Sequence, residues 1–184
     1  MQLDLVQTAL SCGAAKAALI DARQIVLSEN FRKICEGNGC GMFGRCWMCP
    51  PFIGEIEVLM EQVRSFPKAM LYQSIQEIED SFDIEGMFEA GFQHARLSQK
   101  IQQQVRLDPS IEILHLSCGG CRLCERCAKA DDEPCRFPEQ ALPSLEGYGI
   151  DVYSTCKDTQ LHYINGQNTV TYFGMVLFRE KCYE

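Results

Sequence analysis

The sequence predicts one α/β or α+β domain: a small mixed sheet of roughly four strands flanked by helices, with two cysteine-rich metal-binding loops. Three observations carry this reading. Apolar residues keep helical spacing in two long segments and strand-like runs in others. Helix and strand signals alternate along the whole chain. Nine of the twelve cysteines fall in two clusters, and neither cluster lies in a periodic segment. At 184 residues the chain, taken as one unit over 1–184, supports a single core; two domains would be cramped.

Residues 3–10, with Leu3, Val6, Ala9 and Leu10, predict a short amphipathic helix. Residues 17–26 are β-like, with a break near Asp21. A glycine-rich loop over 37–44 carries the first cysteine cluster and ends in Cys49-Pro50-Pro51. From 54 to 66, Ile56, Leu59, Met60 and Val63 mark the inward face of a helix that Pro67 stops. Residues 68–75 read as a strand. Ile84, Met87, Phe88, Phe92, Ala95, Ile101 and Val105 mark a longer helix, preceded by an acidic stretch over 77–85 that reads as a solvated turn and helix start.

Residues 111–116 are apolar on both faces, the pattern of a buried strand. Residues 143–148 predict a short helix with Pro143 in its first turn. Residues 169–178 form a last strand. It has Val170, Tyr172, Val176 and Phe178 on one face, and Phe173, Met175 and Leu177 on the other. So apolar a strand, placed at an edge, would pair with a second copy, making a homodimer an expectation.

The second cluster reads Cys118-Gly-Gly-Cys121-Arg-Leu-Cys124-Glu-Arg-Cys127, then Cys135-Arg-Phe-Pro138. Successive C-x2-C steps bring sulfurs to adjacent corners of a cubane, and a more distant cysteine closes the fourth; the bacterial ferredoxin run, whose last cysteine is followed by proline, uses the same physics. Five cysteines compete for four positions, and Cys121, Cys124, Cys127 and Cys135 are the expected ligands of a 4Fe–4S cluster. Gly119 and Gly120 allow close approach, and Cys118 stands in reserve. Zinc is the alternative, although zinc sites usually show two separated pairs.

The first cluster, Cys35, Cys40, Cys46 and Cys49, suits a second 4Fe–4S cluster. Zinc and a redox pair at Cys46-Trp-Met-Cys49 are its other readings.

Net charge is −8 with a pI near 4.9 and no basic block, which argues against nucleic acid and suits a basic docking partner. No basic leader and no apolar run of about 18 residues is visible, so no membrane association and a cytoplasmic location are expected. In that compartment clustered cysteines are ligands rather than disulfides. Cys12 and Cys182 read as ordinary thiols. His94 reads as solvated, His115 as a core histidine or a cluster tuner, and His162 as a loop residue. Trp47 reads as a shield or core packing. Arg122, Arg126 and Arg136 read as counter-charges to a thiolate-bound cluster or as solvated loop residues. No phosphate loop, dinucleotide fingerprint or Ser/His/Asp set is present.

Taken together, Cys35, Cys40-Gly-Met-Phe-Gly44, Cys49-Pro-Pro, Cys121-Arg-Leu-Cys124-Glu-Arg-Cys127 and Pro134-Cys135-Arg-Phe-Pro138 resemble a known family. Pro143-Ser-Leu-Glu146-Gly-Tyr-Gly-Ile-Asp151-Val and Thr171-Tyr-Phe-Gly-Met-Val-Leu177 extend the resemblance over most of the chain. The family consists of uncharacterised predicted metal-binding proteins, a domain-of-unknown-function family common in anaerobic bacteria and archaea. The resemblance implies a cysteine-bound metal, iron–sulfur above all, in an anaerobe's cytoplasm. The chain departs from it at Cys46, where a non-cysteine residue is expected. The implied shared triad is then Cys35, Cys40 and Cys49, with Cys46 or Cys156 as candidates for the fourth position.

The expected role is electron transfer or redox assistance to an unknown partner protein. A redox enzyme with a substrate-accessible three-cysteine cluster and a zinc-stabilised binding module are the alternatives.

Overall fold

The structure, a computed structural model, describes residues 4–181; Leu3 and Cys182 lie outside them. The elements in order are α1 (Leu5–Cys12), β1 (Lys16–Asp21), α2 (Asn30–Glu36), α3 (Ile56–Arg64), β2 (Lys68–Glu77), α4 (Ile84–Val105), β3 (Ile111–Ser117), α5 (Val152–Cys156) and β4 (Thr169–Glu180). Short 3-10 turns occupy Ala22–Gln24, Ala128–Asp131 and Glu146–Tyr148.

The α/β class expected from the alternating pattern is the one observed, and the four strands form one sheet in the order β1-β2-β4-β3. All three pairings are antiparallel, where a mixed sheet was expected. The reason is topological. Strands β2 and β3 run the same way, joined by the α4 crossover, but β4 inserts between them in the opposite sense, making a split β-α-β unit. Strand β4 is therefore central and paired along both sides, so it offers no edge to a second copy. The edges belong to β1 and β3 instead, and on β3 the exposed Glu112 accepts two hydrogen bonds of 2.8 Å from Arg179.

Side-chain alternation divides the core into two layers. Met70, Tyr72 and Val176 pack with Leu97, Ile101 and Val105 of α4 and with Leu5 and Ala9 of α1. Leu71, Phe173, Met175 and Leu177 pack on the opposite face with Leu59 and Val63 of α3 and with Leu145, Tyr148 and Ile150. The buried face of α3 is Ile56, Leu59, Met60 and Val63, the four residues its spacing marked. Asp4, Asp83 and Asp151 cap α1, α4 and α5 by accepting from Gln7, Gly86 and Ser154 amides. The acidic stretch before α4 is thus a capping turn.

Helices α2 and α5 were not foreseen. At seven and five residues they are too short for a periodic signal. Residues 143–145 are not helical as predicted. Ser117 donates its amide to Pro143 and accepts from Leu145, which extends this segment beside the end of β3.

Beneath α4 the core holds polar side chains. The Tyr72 hydroxyl meets Ser98 Oγ at 2.7 Å and His115 Nε2 at 2.8 Å, Ser98 Oγ reaches Ser117 Oγ at 3.1 Å, and Ser74 Oγ meets His94 Nδ1 at 2.8 Å. His94, read from sequence as solvated, is in fact 1% exposed. Burial pushes its imidazole down to about 4 and that of His115 down to about 3.

A group whose folded pKa lies below its unfolded value of about 6.5 takes up protons on unfolding, so stability rises with pH across that window. Stability is accordingly expected to be complete above pH 6.5 and to fall as pH drops toward 4. Denaturant midpoints measured against pH check this: His94→Gln and His115→Gln should each flatten the slope by up to about 1.4 kcal/mol per pH unit. Curves parallel to the parent would remove these histidines from the acid response.

Candidate metal centres

Helix α2 delivers Cys35 in its last turn, so this cysteine is helical rather than in a loop as expected. The chain then turns through Gly41 and Gly44, both at positive φ, which L side chains rarely adopt. Gly44 donates to Pro50 and Cys49 to Cys46, folding 44–50 into a tight loop. The second cysteine segment leaves the sheet at Ser117 and turns at Gly119, also at positive φ.

Three links hold the two segments together. Trp47 Nε1 donates to the Glu133 carbonyl at 2.9 Å, Ser144 donates its amide to the Met48 carbonyl, and Gly120 packs so close to Met42 that a Cβ there would lie 2.7 Å from Met42 Cε.

The thiols sort into two cavities. One is lined by Cys46, Cys121, Cys124, Cys127 and Cys135, with Trp47, Met48, Leu123, Ala128, Phe137 and Ala141 making its wall mostly apolar. The other is lined by Cys35, Cys40 and Cys49 together with Gly119, Gly120, Ser144 and Glu146. A shared groove, bordered by Cys40, Cys121, Cys124, Cys127, Phe88, Phe92 and Arg122, runs past both. The four cysteines singled out in the second segment are therefore neighbours in space, and so are Cys35, Cys40 and Cys49. Cys46 changes sides relative to its sequence cluster. Cys118 lines a third pocket against α4, beside His94 and Ser98, which Cys121 also borders. Cys156 is 3% exposed in the α3-side core and its Sγ lies 3.3 Å from the Tyr153 carbonyl, away from either thiol group. Cys12 is half-buried at the end of α1.

The fully buried Cys46 sits where the two groups meet. Its sulfur accepts from Cys49, from the Met48 and Cys121 amides and from the Cys127 thiol, and that set of donors lowers its pKa. Cys49, donating to it, is raised. Burial pushes Cys121 up to about 11 and Cys118 up to about 12. Cys35 is raised by burial and next by the charge of Glu146. Metal must displace protons from these raised thiols, so loading is favoured by higher pH.

Among the described residues no group of three or more His, Cys, Asp or Glu side chains is arranged to clasp a single metal ion. The donor set is nevertheless soft and thiol-rich, with no competing carboxylate on the five-thiol wall, which suits iron–sulfur or another thiophilic metal.

Arg136 borders the five-thiol cavity and Arg122 and Arg126 the groove, but their guanidinium groups are engaged elsewhere. Arg122 donates to the Phe88 carbonyl and stacks over Phe92 at 4.9 Å, Arg126 pairs with Asp131 at 2.8 Å, and Arg136 donates to the Arg126 carbonyl. Lys129, unremarked in the sequence, lies 5.0 Å from the Trp47 ring and 4.5 Å from the Phe52 ring and borders the shared groove. Trp47 and Phe52 meet edge to face at 5.1 Å, so Trp47 does shield this wall. His162, in a loop, accepts from Asn165 through its carbonyl.

Glu146 and Arg32 also escaped the sequence reading. Glu146 Oε2 accepts from the Gly119 amide at 3.1 Å, and burial raises its carboxyl. Arg32, nearly buried, donates to the Gly54 and Gly147 carbonyls and so clamps α2 to the turn that bears Glu146. The Pro143–Asp151 motif contained Glu146, but its role depends on a fold contact with no sequence periodicity.

Compared with known protein families, residues 18–178 match the one described as Predicted metal-binding protein (DUF2284). No curated protein and no solved structure matches the chain.

Proposed function

This chain belongs to DUF2284, a family of predicted metal-binding proteins, and from that premise we propose that it is a two-cluster iron–sulfur protein serving electron transfer or redox assistance. The observation that carries the reading is the sorting of eight cysteines into two adjoining cavities along one groove. In the five-thiol cavity Cys121, Cys124, Cys127 and Cys135 would hold a 4Fe–4S cluster, with Cys46 beside them. In the three-thiol cavity Cys35, Cys40 and Cys49 would hold the second. Bound there, such clusters supply reversible one-electron storage.

The protein's own part is to bring the sulfurs together, to exclude water with Trp47, Leu123 and Phe137, and to donate amides toward sulfur from Met48 and Cys121. The redox partner is a separate protein. No helix among the described residues is long and apolar enough to cross a membrane, and the reading keeps the cytoplasmic setting. The three-thiol composition of the second cavity favours a further reading in which one iron there is open to substrate.

Metal and sulfide analysis of anaerobically purified protein tests this, with visible spectra before and after dithionite. About eight iron atoms per chain and an absorbance that bleaches on reduction are expected. About four iron atoms would restrict the protein to a single cluster. Stoichiometric zinc without iron or sulfide would overturn the proposal.

A further inference from the structure

We infer that Glu146 is the fourth ligand of the three-thiol centre, closing it as a Cys35, Cys40, Cys49 and carboxylate set; this rests on the iron–sulfur reading above.

A cubane presents four irons, and three thiols leave one without a protein ligand. The sequence offered Cys46 and Cys156 for that place. Cys156 is removed by the fold: it lies in the α3-side core, with its sulfur against the Tyr153 carbonyl. Cys46 touches Cys49 where the two groups meet, but it lines only the other cavity, alongside Cys121, Cys124, Cys127 and Cys135. Cys118, although next to Gly119, opens onto the α4 pocket.

Glu146 is the carboxylate on the wall that bears the three thiols. The Gly119 amide orients it through Oε2, and the turn that carries it is held rigidly. Gly147 donates to Ser144 Oγ at 3.0 Å, and Arg32 Nη2 reaches the Gly147 carbonyl at 3.2 Å from the helix that supplies Cys35. One clamp thus sets the positions of a thiol ligand and the carboxylate together. Glu146 takes part in none of the ion pairs seen among the described residues. The carboxylate is part-exposed on the cavity wall, with one amide donor and no cation, so an iron at this corner is the positive partner its surroundings lack.

An oxygen ligand binds iron less firmly than a thiolate, so this corner is the exchangeable one. The cavity beside it has Phe31, Ile34 and Phe43 on its walls, so the exchangeable iron faces a largely apolar space suited to a small ligand.

Electron paramagnetic resonance of the dithionite-reduced full chain, together with iron content, tests the assignment. Glu146→Cys is expected to change the signal of one cluster while keeping all the iron, since a thiolate replaces the carboxylate. Glu146→Gln, close in shape, should change the same signal or lower the iron content, by about an eighth of the total if only the corner iron leaves and by about a half if the whole cluster does. Cys46→Ser should leave that signal as in the parent. Parent signals in both Glu146 variants would overturn the inference, as would loss of the three-thiol cluster in Cys46→Ser. A parent protein without iron and sulfide would refute the underlying iron–sulfur reading, a result distinct from either of these.

Discussion

Replacing Cys124 and Cys127 together by alanine is expected to remove about four iron atoms per chain, half of a two-cluster content. The double change is the informative one, because five thiols line that cavity and Cys46, in hydrogen-bond contact with Cys127, stands ready to substitute for a single missing ligand. With both removed, Cys46, Cys121 and Cys135 remain, one short of a closed set.

The loss should extend to the loops. Trp47 is held by Glu133 and roofed by Lys129, and both contacts depend on the path of the chain from Cys127 to Cys135. A cluster's binding free energy is folding free energy for the segment that wraps it. Limited proteolysis should therefore cut the 118–135 segment readily in the double variant and slowly in the loaded parent. Cys156→Ala is the matched control and should keep the full iron content, because that thiol is core packing. Full iron in the Cys124/Cys127 variant would show that the second cysteine segment is not the cluster site.

Gly174→Ala is expected to destabilise the fold by about 3 kcal/mol or more, read as a lowered denaturant midpoint at unchanged slope. Gly174 lies in the central strand β4, directly across from Tyr72 of β2. A Cβ there would stand 2.7 Å from Tyr72 Cε1 and nearer still to Cζ and the hydroxyl oxygen. Tyr72 has no room to retreat. It is fully buried, its hydroxyl is engaged by Ser98 and His115, and its ring stacks on His94 at 5.7 Å. The methyl group must therefore displace a ring, and with it a polar network whose unpaired members would each cost about 1–3 kcal/mol. Gly39→Ala, with nothing within 4 Å of its added Cβ, is the control and should be nearly neutral. A midpoint for Gly174→Ala within error of the parent would mean that β4 can shift away from β2, contrary to this packing.

These sites differ in how far they could be read in advance. The inward face of α3, the span of α4 and the alternating faces of β4 were legible because helix and strand impose periods of 3.6 and 2 on the residues they bury. The run Cys121, Cys124, Cys127 was legible because its sulfurs are brought together by a few residues of local chain. By contrast, the solvated reading of His94 failed because its neighbours on α4 are mixed in polarity, and only the arrival of Ser74 and Tyr72 from β2 encloses it.

What the sequence by itself determined is the local order: the α/β class, the main helices and strands, the thiol-rich chemistry and the family. The tertiary structure alone decided which strands are neighbours, which thiols share a cavity, and which carboxylate joins them. Insertion of β4 between β2 and β3 made the sheet antiparallel and took the most apolar strand away from the edge. The contacts of residues 143–148 with Ser117, Met48 and Arg32 turned Cys46 toward the second cysteine segment and set Glu146 beside Cys35. The Met48 and Arg32 contacts join residues about a hundred positions apart. Periodicity and short motifs report only what a residue's near neighbours along the chain require, whereas a metal centre assembled from distant loops is specified by the packing that closes them.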